Sequence, residues 1–306
     1  MTLIRSNLKG LVIVLLAIFI FVACGSGERD GRRSIQINGS DTEVNLVQSL
    51  AEQYMGKYPD VRISVTGGGS GTGIAAIING QTDIANSSRS MRESEIEQAR
   101  RRGVEPFPIV FAMDGLAIVT HESNPIESLT IDQVSRIYRG EITNWSEIGG
   151  PDMAITLYGR QSNSGTYVYF REHVVQADYS ARMRNMNGTA QIVEAIRSDR
   201  AGIGYVGIGY VADSEGTVIS RIHVVNIAAD DESPAVSPLD PENVMSGDYP
   251  ISRPLYQYTN GMPDGDMLAF LQWELSEEGQ RVVARTGYYP VSEHYMQKNR
   301  ELGLIE

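Results

Sequence analysis

The stretch TGGGSGTGIAAI, residues 66–77, decides how the rest of the chain is read. Five of its twelve residues are glycine and none is charged. It follows an alternating run, Val61, Ile63 and Val65, and leads into apolar residues 74–78, so it is the turn from a strand into a helix. Such a loop suits an anion, because the first N–H groups of a helix lack partners within it and carry the positive end of its dipole. Two common versions fail on detail. A P-loop needs a lysine where Ile74 follows Gly73. Gly71 to Ala76 fits the loose dinucleotide form GxGxxA, but the next strand, at Ile84 and Ala85, comes about ten residues later and without the expected acidic residue. What remains is a lysine-free anion loop in a chain of net charge −12.

That charge narrows the partners. With 306 residues, 42% hydrophobic and 21% charged, the chain has globular composition and room for two domains. Its acidity argues against nucleic acid and against an anionic membrane surface. Any anion must be held by local geometry. The first residues read as a leader: Arg5 and Lys9 precede an apolar run over 11–22 that is too short for a bilayer core of about 30 Å. Cys24 is the only cysteine, which excludes an intrachain disulfide. Its place after Ala23 resembles a bacterial lipobox, with Phe21 where leucine is usual. The expectation is a signal peptide over 1–23, lipidation at Cys24 and a polar tether over 24–33. A protein tethered outside the cytoplasm lacks an ATP supply, and no cofactor is expected. Gly25 in place of an inner-membrane retention aspartate favours the outer membrane where there are two.

From residue 34 onward strand and helix alternate. Ile35 to Ile37 reads as a strand, followed by a helix that Thr42 or Asp41 could cap. Residues 106–119 read as two apolar runs broken at Asp114 and Gly115, and Thr130 caps a helix through Tyr138. Ile155 to Tyr158 is a strand, and Ser164 or Thr166 starts a helix. Residues 189–198 and 266–286 are helical, and Arg253 to Tyr258 is extended. Pro234, Pro238 and Pro241 predict that 229–248 holds no regular structure. The pattern is α/β with partly parallel sheets, and ligands then lie at the carboxyl ends of strands.

Three segments share one design, a strand followed by small hydroxyl residues at a helix start: Gly39-Ser40-Asp41-Thr42, Gly69-Ser70-Gly71-Thr72 and Ser164-Gly165-Thr166. Any one alone is an ordinary cap; three together could surround a tetrahedral oxyanion with donors. Arg160 and Arg89 are the candidate charge partners, because a guanidinium fork binds two oxygens at once. His121, His173, His223 and His294 lie in polar contexts without a nucleophile elbow, and no cluster has metal-ligand spacing.

The motifs NGSDT (38–42), TGGGSGTGIAAIINGQTDIANSSR (66–89), TNWSEIGG (143–150), GRQSNSGTYVYF (159–170), AGIGYVGIGY (201–210) and YPISRPLY (249–256), with EEGQ (277–280) and GYYP (287–290), resemble in this order the phosphate-binding proteins of Pst-type ABC importers. The resemblance implies a two-lobed type II periplasmic-binding-protein fold with a mixed sheet in each lobe and the ligand in the cleft between. Lobe I would be 34–113 plus about 253–306 and lobe II 114–252, closing by hinge motion near 114 and 253. Carried over by position, phosphate would meet Ser40, Asp41, Thr42, Ser70, Gly71, Ser88, Arg89, Arg160, Ser164, Gly165 and Thr166. Some members of the family carry an aspartate where this chain has Ser88; it accepts the phosphate's proton and so excludes sulfate. Asp41 is the residue expected to replace it. The implied protein is a lipid-anchored monomeric receptor that hands inorganic phosphate to an inner-membrane ABC permease and catalyses nothing. The rivals are a receptor for sulfate or molybdate, a sensor or adhesin on the same fold, and a secreted phosphatase.

Overall fold

Alternating strands and helices run through the computed structural model, which describes residues 33–306; the expected signal peptide, Cys24 and all but the last residue of the tether lie outside the described residues. Strand β1 (Arg33–Gly39) places Ile35 and Ile37 inward. Helix α1 (Val44–Lys57) then buries one stripe, Leu46, Val47, Leu50, Ala51 and Tyr54. Strand β2 (Val61–Thr66) alternates as expected, α2 (Ser70–Ile78) opens on the glycine loop, and β3 (Ile84–Ser87) follows. After α3 (Glu93–Arg101) comes the long β4 (Pro106–His121), then β5 (Ser128–Thr130) and α4 (Ile131–Arg139). Strand β6 (Thr156–Arg160) leads into the short α5 (Gly165–Phe170). Next are β7 (Arg184–Met186), α6 (Thr189–Ser198), β8 (Gly202–Gly207) and β9 (Ile222–Ala228). The chain ends with α7 (Pro241–Ser246), β10 (Ser252–Asn260), α8 (Gly265–Glu274), α9 (Glu277–Arg285) and α10 (Glu293–Glu301).

The sheet runs β2-β1-β3-β10-β4-β8-β6-β7, with β9 joined to β4 and β5. It is mixed: β1 with β3, and β6 with β7 and β8, are parallel, while β4 is antiparallel to β10, β8 and β9. Strand β4 changes partners along its length. Its first part, to Gly115, pairs with β10; from Leu116 it pairs with β8, and from Ile118 also with β9. The core follows the sheet faces. On β3, Ile84 joins the large cluster that contains the α1 stripe, while its neighbour Ala85 joins a smaller one with Ile74, Ile77 and Ala99.

Several local expectations are corrected. Neither Asp41 nor Thr42 caps α1: Glu43 holds that position without a side-chain cap bond, because both neighbours are drawn to partners elsewhere. Helix α2 begins at Ser70, not Ile74, since the glycine loop itself winds into the first turn. The break at Asp114 and Gly115 does not occur. The Asp114 carboxylate accepts from Arg253 on β10 and from the Ile208 amide, so β4 passes through it unbroken. Within 229–248 the proline at 241 starts α7 rather than preventing it, because a first-turn residue needs no N–H donor and Asp240 caps the Glu242 amide at 2.9 Å. Helix α10 and strand β9 were not foreseen. The polar α10 is fixed by buried Asn299, whose amide group donates to the Val110 carbonyl and accepts from the Val110 amide. The Thr130 cap is present as a reciprocal pair with Gln133.

Candidate functional site

Four hydroxyls from four separate segments meet. Thr42, in the turn after β1, lies 2.7 Å from Thr166 in the first turn of α5. The Thr166 hydroxyl is 3.3 Å from that of Ser88, just beyond β3, and Ser88 is 3.3 Å from Ser70 at the start of α2. All four side chains are buried. Ser70 also accepts from the Ser88 amide at 3.1 Å. The approach is possible because residue 165 is glycine: a Cβ there would stand 2.2 Å from the Ser70 hydroxyl and 2.8 Å from that of Ser88. Gly39 serves the same end from β1. Its φ of +145° and the Asn86 carbonyl, 2.1 Å from a built Cβ, exclude any side chain there. Ser40 is buried in the same turn, its amide bonded to the Asn86 carbonyl.

Two buried arginines flank the cluster. Arg160, at the end of β6, donates to the Thr189 hydroxyl at 2.9 Å, to the Asn187 carbonyl at 3.0 Å and to the Asp41 carboxylate. Its Nε is buried with no partner among the described residues. The other Asp41 oxygen accepts from the Gly68 amide at 3.2 Å, so both oxygens are engaged. Arg253 on β10 donates to Asp114 through Nε and a terminal nitrogen, at 3.0 and 2.8 Å. Its remaining donors reach the Thr166 hydroxyl and the Ser88 carbonyl, each at 3.1 Å, and its guanidinium lies over the Tyr169 ring. Tyr288 and Tyr210 close the wall from outside, donating to the backbone carbonyls of Thr42 and Asp41. Burial pushes the Tyr210 hydroxyl up to about 12, so it is a neutral donor at any ordinary pH.

Other expected ligands have partners within the protein. Ser164 is the N-cap of α5, accepting from the Tyr167 amide at 3.4 Å. The Gly71 amide donates to the Asn163 carbonyl at 2.9 Å, which fastens the glycine loop to the turn before α5. Arg89 is not brought into the cluster: its terminal nitrogens form a two-pronged pair with Glu95 at 2.8 and 2.7 Å, and one also reaches the Ser90 carbonyl.

Two residues were missed from sequence. Arg253 sits in the apolar run 249–258 and faces an aspartate in another apolar strand; a lone cation and a lone anion in two core strands are the signal that pairs them. Glu43, between Thr42 and α1, is fully buried, and neither carboxylate oxygen has a hydrogen-bond partner among the described residues. Burial, opposed by the nearby Ser40 hydroxyl and by Arg253, holds its pKa well above the usual carboxylate range.

The arrangement offers short hydroxyl donors, two cations that are each already neutralised, and helix starts directed at one small space. It suits a compact oxygen-rich anion. Comparison with known proteins agrees. Residues 25–278 match the model of the PBP superfamily domain. The chain is 34% identical over 285 residues to the phosphate-binding protein PstS of Pseudomonas aeruginosa, covering 87% of this chain and 86% of that one. It is 29% identical to PstS of Bacillus subtilis, covering 93% and 95%. A substrate-binding protein from Clostridium perfringens, solved with bound phosphate, superposes with a TM-score of 0.75 at 30% identity, covering 85% of this chain and all of that one.

Proposed function

We propose that this chain, which belongs to the phosphate-binding-protein family within the PBP superfamily, captures inorganic phosphate outside the cytoplasm and delivers it to an ABC importer. The observation that carries the reading is the buried meeting of Thr42, Ser70, Ser88 and Thr166 from four segments, with Arg160 and Arg253 at its edges. Phosphate replaces the contacts those hydroxyls make with one another. Charge-assisted donors contribute roughly 1.5–3 kcal/mol each. A few of them suffice for a micromolar complex, about −8 kcal/mol, after ordering costs. Short-range dipoles thus outweigh the screened surface charge of an acidic protein.

Within the binding set, Ser40, Thr42, Ser70, Ser88, Gly165 and Thr166 surround the anion, and Arg160 presents its guanidinium across the Asp41 pair. Gly71, Arg89 and Ser164 act at one remove, by fixing the turns that carry the others. Asp41, with lone pairs left beside its Arg160 and Gly68 contacts, accepts the phosphate's own proton. Asp41→Asn is expected to let sulfate compete; unchanged discrimination refutes that role. The lobe boundary falls at Asp114 and Arg253, which are opposite one another where β4 leaves β10. Cys24 carries the lipid anchor, and the receptor acts as a monomer. No helix among the described residues is long and apolar enough to cross a membrane.

The test is titration calorimetry with phosphate, sulfate and molybdate. One equivalent of phosphate should bind in the micromolar range or tighter, with the other two oxyanions far weaker. Equal affinity for all three, or no phosphate binding, overturns the reading, and turnover of a phosphate ester would move the protein to the phosphatases. Loss of membrane partitioning in Cys24→Ser checks the anchor.

A further inference from the structure

Charge balance around the hydroxyl cluster turns on one residue. Arg160 is matched by Asp41 and Arg253 by Asp114, so the two cations and two carboxylates cancel. Among the described residues Glu43 has no such match. Its side chain is fully buried one residue from Thr42, and neither oxygen has a hydrogen-bond partner among the described residues. We infer that Glu43 sets the affinity of the anion site through its own charge: neutral, it leaves the surroundings balanced and receptive; ionised, it places an uncompensated negative charge against the incoming anion.

Every element packed around Glu43 supports this. Strand β10 presents Arg253 and Tyr258, β4 presents Asp114, and Tyr288 and Tyr210 approach from beyond α9 and β8. The tyrosines are held above their ordinary value by burial and stay neutral. Arg253 is the cation beside Glu43, but its Nε and a terminal nitrogen are already spent on Asp114. The Ser40 side chain and the Ser87 amide lie close without forming a hydrogen bond of good geometry. Burial therefore dominates, and the carboxyl keeps its proton beyond the usual carboxylate range. A bound anion adds to the same effect. By linkage, anion binding and the Glu43 proton favour each other, and affinity declines once pH rises past the point at which free Glu43 ionises.

This inference rests on the phosphate-receptor reading, and the experiment separates the two. Phosphate affinity is measured by calorimetry from mildly acidic to alkaline pH, for the wild type and Glu43→Gln, in two buffers of different ionisation enthalpy. The phosphate's own ionisation is common to both proteins and cancels in the ratio of Kd values. The ratio of wild-type to variant Kd should climb with pH, by up to about tenfold per unit, and the wild type should take up more protons on binding than the variant. A ratio flat over the whole range, with equal proton counts, overturns the inference. Should Glu43→Gln fail to fold, Glu43→Met carries the same comparison. Absence of wild-type phosphate binding would instead sink the receptor reading itself.

Discussion

Two arginine–aspartate pairs flank the same cluster, and they are built differently. Arg253 and Asp114 face each other on adjacent strands and are both at most 1% exposed. Sheet register brings them together, and they reside in the continuous core. Arg160 and Asp41 are 119 residues apart, and the Asp41 side chain is 20% exposed. That pair joins the end of β6 to the turn after β1, where the hydroxyls converge. The first pair ties two strands of the sheet together, and the second, partly wet, stands between strand ends at the proposed phosphate site.

The largest expected effect breaks the first pair. Arg253→Met leaves Asp114 buried without its cation, a loss of about 3–5 kcal/mol in urea unfolding. Arg160→Met should be milder in the same measurement, because Asp41 can reach water; an equal loss would erase the contrast. Phosphate affinity reverses the emphasis for Arg160. Its removal should weaken binding by about 1.5–3 kcal/mol, roughly 10- to 150-fold, read by calorimetry. Gly165→Ala sharpens the point where the segments meet: the added methyl collides with Ser70, so phosphate binding should be abolished while stability falls by about 1–3 kcal/mol.

A smaller effect concerns a carboxyl outside both pairs. Glu274 on α8 is fully buried near Gln257, and burial raises its pKa well above the ordinary value. The folded protein therefore keeps a proton that the unfolded chain gives up near pH 4. The stability so gained is complete below that pH and is lost as pH rises toward the folded pKa, at about 1.4 kcal/mol per unit. Glu274→Gln should flatten this part of the pH profile in urea melts and leave phosphate binding in place. A variant whose stability still falls with the wild-type slope would show that Glu274 is already ionised.

Much of this was legible along the chain. Alternation at Val61, Ile63 and Val65, the Thr130 cap and the glycine loop are local patterns, and local patterns fix local structure. The three hydroxyl turns could be found because strand, small residue and helix start recur within a few positions each. Asp114 misled because a charge in an apolar run looks like a break until its partner 139 residues away is known. Arg253 escaped for the same reason, and Glu43 because its burial comes from segments distant in sequence.

The chain by itself therefore determined the α/β alternation and the turns rich in possible donors, since backbone conformation and hydrogen-bonding capacity are written in neighbouring residues, while its shared motifs pointed to the kind of ligand. Only the tertiary structure decided which of those donors are free. It assigned Asp41 to Arg160, Arg89 to Glu95 and the Gly71 amide to Asn163, and it left Glu43 without a hydrogen bond among the described residues. A polar group's role depends on what desolvates it and what pairs with it, and both are supplied by segments far away in sequence.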